Sequence, residues 1–388
     1  MKSIFKNKAL YASLLLLLSA CKEDVDLVGD FKETAIIYGL LDQADSIHYI
    51  KINRAFIGPG NSLDIAKIPD SSYFQQVDAT VTELVNGLKI REWKLRDTIL
   101  NNKIESGAFF APSQKMYYFV TRKCKTKTDS QGTQGSQVLN SSDPADLLNS
   151  LNKNASYQLE VSVNGGAFKV QGETELVSGI TTSADAMNFR FEFADNLGSY
   201  KQNGISVNTG TAHIINTSLL VDFLEFTSLT ESTHKSFLWN LGESLVVPNG
   251  SNSFTSNGKT FYELIAANSS DDPNIMKRNL NAIHTIVTAG SEVLANYIAI
   301  NQPSSSLAQT KPTYTNLSVT NNKRVIGIFS SRYTYTIERF FINPNPQLSN
   351  YRLITQKSTE ELCKGAITGM LLYCSQHPAD NSYTYACQ

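Results

Sequence analysis

The side chains best equipped for chemistry in this chain of 388 residues are its five cysteines and five histidines. Cys124, Cys363, Cys374 and Cys387 form an even set, which permits two disulfides in three connectivities. Three of them crowd into a last stretch that also holds Gly365, Gly369 and Pro378. Such a terminus frays unless something ties it down. Cys363–Cys374 is the first expected bridge and Cys374–Cys387 the second, with the remaining thiol reaching Cys124. A zinc site is the competing chemistry, but it needs closely spaced ligands. No C-x-x-C is present, and His377 is the only nearby histidine. His48, His213, His234, His284 and His377 form no H-E-x-x-H pair, and His48 and His284, both in strand-like segments, read as structural. No G-x-S-x-G elbow, phosphate loop or G-x-G-x-x-G is found. Asp271-Asp272 offers oxygens but lacks the alternate spacing and glycine of a calcium loop, so a helix-ending turn is expected there. No catalytic residue, metal or cofactor is assigned.

The fifth cysteine, Cys21, has a different setting. Lys2, Lys6 and Lys8 precede an apolar run from Ala9 to Leu18, which breaks into Ser19-Ala20-Cys21. A basic start, a short apolar core and a small-residue cleavage site make a secretory signal over residues 1–20. The run is too short to span a bilayer, which takes about 20 apolar residues. Leu18-Ser19-Ala20-Cys21 resembles the lipobox of bacterial lipoproteins. That resemblance implies a diacylglycerol on the Cys21 thiol and acylation of the new amine, hence anchoring in outer-membrane lipid. The next residues, Lys22, Glu23, Asp24 and then Val25-Asp26, resemble the surface-export signal of Bacteroidota lipoproteins, which implies display on the cell surface. An ordinary solvated tether is the alternative. Export places the other four thiols where disulfides form.

Composition bounds the partners. Net charge is -1 and only 18% of residues are charged. With no basic excess, nucleic acid is not an expected partner.

The elements that must position any site read mainly as strands. Residues 35–41 are an apolar run, and residues 47–56 alternate. Asn86-Gly87 and Asn164-Gly165 each separate two alternating segments, and both residue types tolerate the positive φ of a hairpin turn. About seven strands before residue 180 suggest an immunoglobulin-like or transthyretin-like β-sandwich over 33–180. An insertion at 125–156 interrupts it, with a polar loop and a short helix beginning at Ser142-Asp143-Pro144. Residues 181–345 read as an α+β domain. Its expected strands include 189–193, 325–329 and 333–342, and its helices lie around Phe261 and after Ser291. Tyr333, Tyr335, Phe340 and Phe341 cluster there and read as core. In the Cys-containing tail, 346–388, Ser358 and Glu361 have the spacing of a capping box. Residues 21–32 are the lipidated tether.

Several stretches resemble Bacteroidota outer-membrane lipoproteins of unknown function often encoded beside TonB-dependent receptors. They are residues 48–58 (HYIKINRAFIG), 68–74 (IPDSSYF), 314–317 (YTNL) and 327–332 (GIFSSR). The resemblance implies a non-enzymatic binding or accessory subunit with a protein partner in the outer membrane. It brings no catalytic residues. An adhesin or glycan-binding module and a hydrolase with a site invisible in sequence are the alternatives. Asp45-Ser46-Ile47 and Asp97-Thr98-Ile99 resemble the O-glycosylation triplet of the same bacteria, making Ser46 and Thr98 candidate acceptors.

Overall fold

The computed structural model describes residues 33–55, 62–107, 110–121, 126–128, 134–136, 150–301, 313–341, 352–375, 377 and 380. The fold is mainly β with some α, as expected. In chain order the strands are β1 Thr34–Asp42, β2 Ile47–Arg54, β3 Val77–Val85, β4 Leu88–Lys94, β5 Arg96–Leu100, β6 Gln114–Val120, β7 Thr126–Thr128, β8 Gln134–Ser136, β9 Ser156–Val163 and β10 Phe168–Glu175. They continue as β11 Thr181–Thr182, β12 Ala194–Asn196, β13 Ser199–Tyr200, β14 Gln202–Asn208, β15 Ile214–Phe226, β16 Ser232–Leu245, β17 Ser251–Asn257, β18 Lys277–Gly290, β19 Ser318–Val319 and β20 Arg324–Ile337. The helices are α1 Ser62–Ala66, α2 Gly258–Asn268, α3 Glu292–Asn301 and α4 Gln356–Lys364.

Two sheets enclose the first core. One contains the run β1-β2-β6-β5, the other the run β4-β3-β9-β10. These are the A-B-E-D and C′-C-F-G orders of an immunoglobulin-like sandwich, the first of the two architectures expected. Period-two alternation builds it, because successive strand residues point to opposite faces. Ile37, Ile50, Ile52 and Phe119 from one sheet meet Val81, Leu159, Val161 and Phe168 from the other. The first predicted hairpin closes at Asn86 and Gly87, both at positive φ. The second is longer than a two-residue turn: Phe168 pairs with Val163, and Gly166 also takes positive φ.

The A-B-E-D sheet does not stop at β1. It continues through β20, β18 and β15 to β16, giving eight strands. β1 and β20 pair in parallel from Thr34/Arg324 to Asp42/Arg332. Gly327 has φ +109°, and a Cβ there would lie 1.8 Å from the Ile37 carbonyl oxygen, so the seam requires glycine. β20 serves both cores. Its Phe329 belongs to the sandwich, while Tyr335 and Ile337 belong to a second core with Phe193, Phe223, Phe261 and Ile283. The regions expected as separate domains, 33–180 and 181–345, therefore share one sheet.

Several local expectations are corrected. The alternating segment 189–193 is not a regular strand: it makes one parallel bridge, Phe191 to Ile354, although Phe191 and Phe193 are buried as its alternation implied. The two expected strands 325–329 and 333–342 are one, β20, ending at Ile337. The loop before Tyr73 contains α1 and a 3-10 turn, Pro69–Ser72. The expected insertion helix lies outside the described residues, and β7 and β8 form a short hairpin in that region. In the tail, Leu353, Ile354, Leu362 and Tyr373 join the second core.

Candidate functional site

The tail contains Ser375, His377 and Asp380, residue types that a nucleophile–base–acid set would use. Their geometry is otherwise. Ser375 Oγ donates directly to Asp380 Oδ2 at 2.7 Å, and the backbone N–H of His377 donates to Ser375 Oγ at 3.2 Å. Arg352 forms an ion pair with the other oxygen of Asp380. A catalytic serine must give its proton to the base, whereas here the carboxylate holds it. The group is a clasp on the tail. Burial, with Asp380 nearby, pushes the Cys363 thiol up to about 12, which leaves no thiolate at neutral pH.

The cysteine expectations divide. Cys363 is a free thiol, so the first expected bridge, Cys363–Cys374, is not formed. Cys363 lies on α4 and is half-buried. Cys374 is disulfide-bonded, to a cysteine outside the described residues, where Cys124 and Cys387 both lie. Cys21, Lys22, Glu23 and Asp24 also lie outside them. Ser46 is half-buried just before β2, its carbonyl accepting from Thr121 N at 2.9 Å. Thr98 stands inside edge strand β5, opposite Met116.

The expected capping box is also replaced. Thr355 caps α4, its side chain accepting from Ser358 N. Ser358 and Glu361 are then free for long-range work. Ser358 Oγ accepts from Phe193 N and Ala194 N at 2.8 and 3.1 Å, and the Glu361 carboxylate accepts from Gly198 N and Tyr200 Oη. The spacing marked two important side chains but assigned them the wrong partners.

The histidines are structural where they are buried. His48 lies in the sandwich core, bonded to Thr121 Oγ1 at 2.7 Å, and burial pushes it down to about 4. His284 Nδ1 accepts from Arg339 N at 3.1 Å, and its Nε2 faces Asp222 Oδ2 at 3.3 Å. It ties the segment after β20 to β18. Asp271 and Asp272 occupy the turn after α2, where Asp272 Oδ1 accepts from Asn274 N. Among the described residues no group of three or more His, Cys, Asp or Glu side chains is placed to hold a metal ion.

Two surfaces remain. A cleft of about 360 Å³ opens where the end of β10 passes the start of α3. Glu173, Glu175, His213, Thr211, Ser291 and Glu292 line it, together with Leu176 and Val177. The Ser291 hydroxyl is engaged with Ser330 Oγ at 2.7 Å. The cleft can hydrogen-bond a small polar ligand.

The second surface is the apex at the far end of β15, β16 and β18. Leu229 lies in the β15–β16 turn, Met276 just before β18, and Met370 and Leu372 in the tail loop. They are 76, 60, 91 and 48% exposed. Backbone bonds hold them at one end: Met276 N to Phe226 O and Arg278 N to Leu372 O, both 2.8 Å. Leu372 has φ +60°, an outlier for a bulky side chain. A buried pair underlies it. Arg278 Nε donates to Glu225 Oε1 at 2.8 Å, and Arg278 Nη1 to the Leu371 carbonyl at 2.8 Å. Burial opposes ionisation of Glu225, but hydrogen bonds from Ser270 and Arg278 hold its carboxyl below the usual range. The sequence marked none of the four apolar residues, since isolated Leu and Met in loops carry no period.

No family model and no curated protein matches the chain. Among solved structures it is similar to the C-terminal globular domain of an oligosaccharyltransferase from Pyrococcus abyssi, at 9% identity and a TM-score of 0.18. That alignment covers 78% of this chain and 47% of the other, so the chain spans about half of that structure. A score of this size carries no argument about fold or function.

Proposed function

We propose that this protein is a non-enzymatic binding subunit, anchored through acylated Cys21 at the cell surface and accessory to a TonB-dependent outer-membrane complex. The apex carries the reading. Four large apolar side chains project into solvent from three separate loops, and a buried Glu–Arg pair shapes the loop that bears two of them. Soluble proteins rarely leave such a group without a partner. In the tail, Ser375 and Asp380 are bonded to each other, with Arg352 on the other carboxylate oxygen. The lipobox-like Leu18-Ser19-Ala20-Cys21 and the acidic stretch after it support the address.

Two measurements test this. Mass spectrometry of the native N-terminal peptide is expected to show acylated Cys21, and an unmodified Cys21 would remove the anchor. Cross-linking in intact membranes is expected to capture an outer-membrane protein with the wild-type chain. Leu229→Glu with Met370→Glu should lower that yield roughly tenfold while the melting temperature holds, because exposed substitutions move stability little. Equal yields from both proteins would overturn the docking role of the apex.

A further inference from the structure

The two outer faces of the sandwich are unlike. On the C′-C-F-G side, polar side chains form ladders in which charges are matched, as in Lys169–Glu160 at 2.8 Å and Lys89–Glu92 at 2.6 Å. On the A-B-E-D side the outward rows are Ile36, Tyr38 and Leu40 on β1; Ile47, Tyr49, Lys51 and Asn53 on β2; Gln114, Met116, Tyr118 and Val120 on β6; and Arg96, Thr98 and Leu100 on β5. The one acid in these rows is Asp42, at the far end of β1, buried and paired with Arg332; none occurs in the rows of β2, β6 and β5. Helix α3 covers the β1 side, where Tyr297 Oη meets Tyr38 Oη at 3.0 Å. Beyond it, Ile47 and Tyr49 are 41 and 36% exposed. Tyr49 stands opposite Tyr118, with ring centroids 6.1 Å apart, and the Arg96 guanidinium lies 5.1 Å from the Tyr118 ring centroid. No ion pair among the described residues involves Lys51 or Arg96.

We infer that this bare half-face rests on an anionic lipid surface. The inference rests on the lipid-anchor reading. Charge complementarity selects the occupant: cations without acids face an anionic layer, and tyrosines beside aliphatic side chains suit the boundary between headgroups and acyl chains. Reach agrees with it. The chain from Cys21 to Thr34 spans at most about 45 Å at roughly 3.5 Å per residue, and Thr34 begins β1, next to β2 in this same sheet. The apex lies far along that sheet, past Ile337 and then from Thr285 to Lys277, about 70 Å along the strands at about 3.3 Å per residue. A sandwich laid on lipid would thus hold its apex out toward a neighbour.

Flotation with vesicles tests the face without the anchor. The full mature chain carrying Cys21→Ser, free of acyl groups, is mixed with phosphatidylcholine vesicles with or without phosphatidylglycerol. It is expected to float only with the anionic vesicles and to be released by salt. Lys51→Glu with Arg96→Glu should weaken binding roughly tenfold or more, and Tyr49→Ser, a milder change, several-fold, each with an unchanged melting temperature. No flotation on anionic vesicles, or equal flotation of the charge-reversed chain, overturns the inference and leaves an acidic protein as the occupant. Either result leaves acylation of Cys21, read by mass, untouched.

Discussion

Among the described residues, two glutamate–arginine pairs with buried carboxylates bridge neighbouring strands, and they differ in how far apart in the chain their partners lie. In the sandwich, Glu83 and Arg91 face each other across the β3–β4 hairpin, eight residues apart. Tyr157 Oη donates to the same carboxylate at 2.8 Å, and Arg91 keeps one side toward solvent over the Trp93 ring. In the second region, Glu225 and Arg278 face each other between β15 and β18, 53 residues apart, both enclosed. Arg278 also binds the carbonyls of Ser270 and of Leu371, 93 residues away. The first pair decorates a hairpin that its turn already specifies. The second joins three segments that no local rule brings together. Local structure needs little help from buried charge; the apex and tail depend on it.

The largest expected effect breaks the long-range pair. Arg278→Ala leaves the Glu225 charge buried without its main partner and should cost about 3–5 kcal/mol. Replacing both partners with Met should cost far less, because the uncompensated charge goes too. Urea midpoints of the three proteins check this, and an additive double variant would argue against coupling.

A second effect lies in the sandwich core. His48 has a folded value of about 4, set by burial, below the usual 6.5. Its neutral ring therefore stabilises the fold fully above pH 6.5, and that contribution is lost as pH falls through about 4. The amount is about 3 kcal/mol, at 1.36 kcal/mol per unit. His48→Phe keeps the contact that the ring makes with Phe119 (centroids 4.7 Å apart) and should flatten this part of the pH–stability curve. An unchanged difference between pH 7 and pH 4 would refute the assignment.

The smallest effect is expected from the hairpin pair. Arg91→Ala should cost about 1–2 kcal/mol, since Tyr157 still bonds the buried Glu83 carboxylate and loss of the 14%-exposed Arg91 side chain admits water to it. A loss equal to that of Arg278→Ala would erase the distinction between the two pairs.

Much of the sandwich was legible in the residues themselves. Alternation over residues 157–163 chose the inward side chains, and Asn86-Gly87 placed a hairpin, because strand period and positive φ are properties of a few consecutive residues. The same pattern misled over residues 189–193. Their alternation reports burial correctly, yet pairing needs a partner strand, and only Ile354 arrives.

What the chain alone determined is its mainly β character, its hairpins and a low-charge composition, all consequences of local geometry and side-chain type. Tertiary structure decided the rest. The continuation of one sheet from β1 into β20 joins residues about 290 positions apart, at a seam that only Gly327 permits. The work of Ser358 and Glu361 was decided the same way, since Thr355 took the cap and left both to bind residues 193–200. So was the free state of Cys363, which α4 carries to a half-buried position. Hydrogen bonds and packing act on whatever lies within a few ångströms, and that neighbourhood exists only once the distant segments have met.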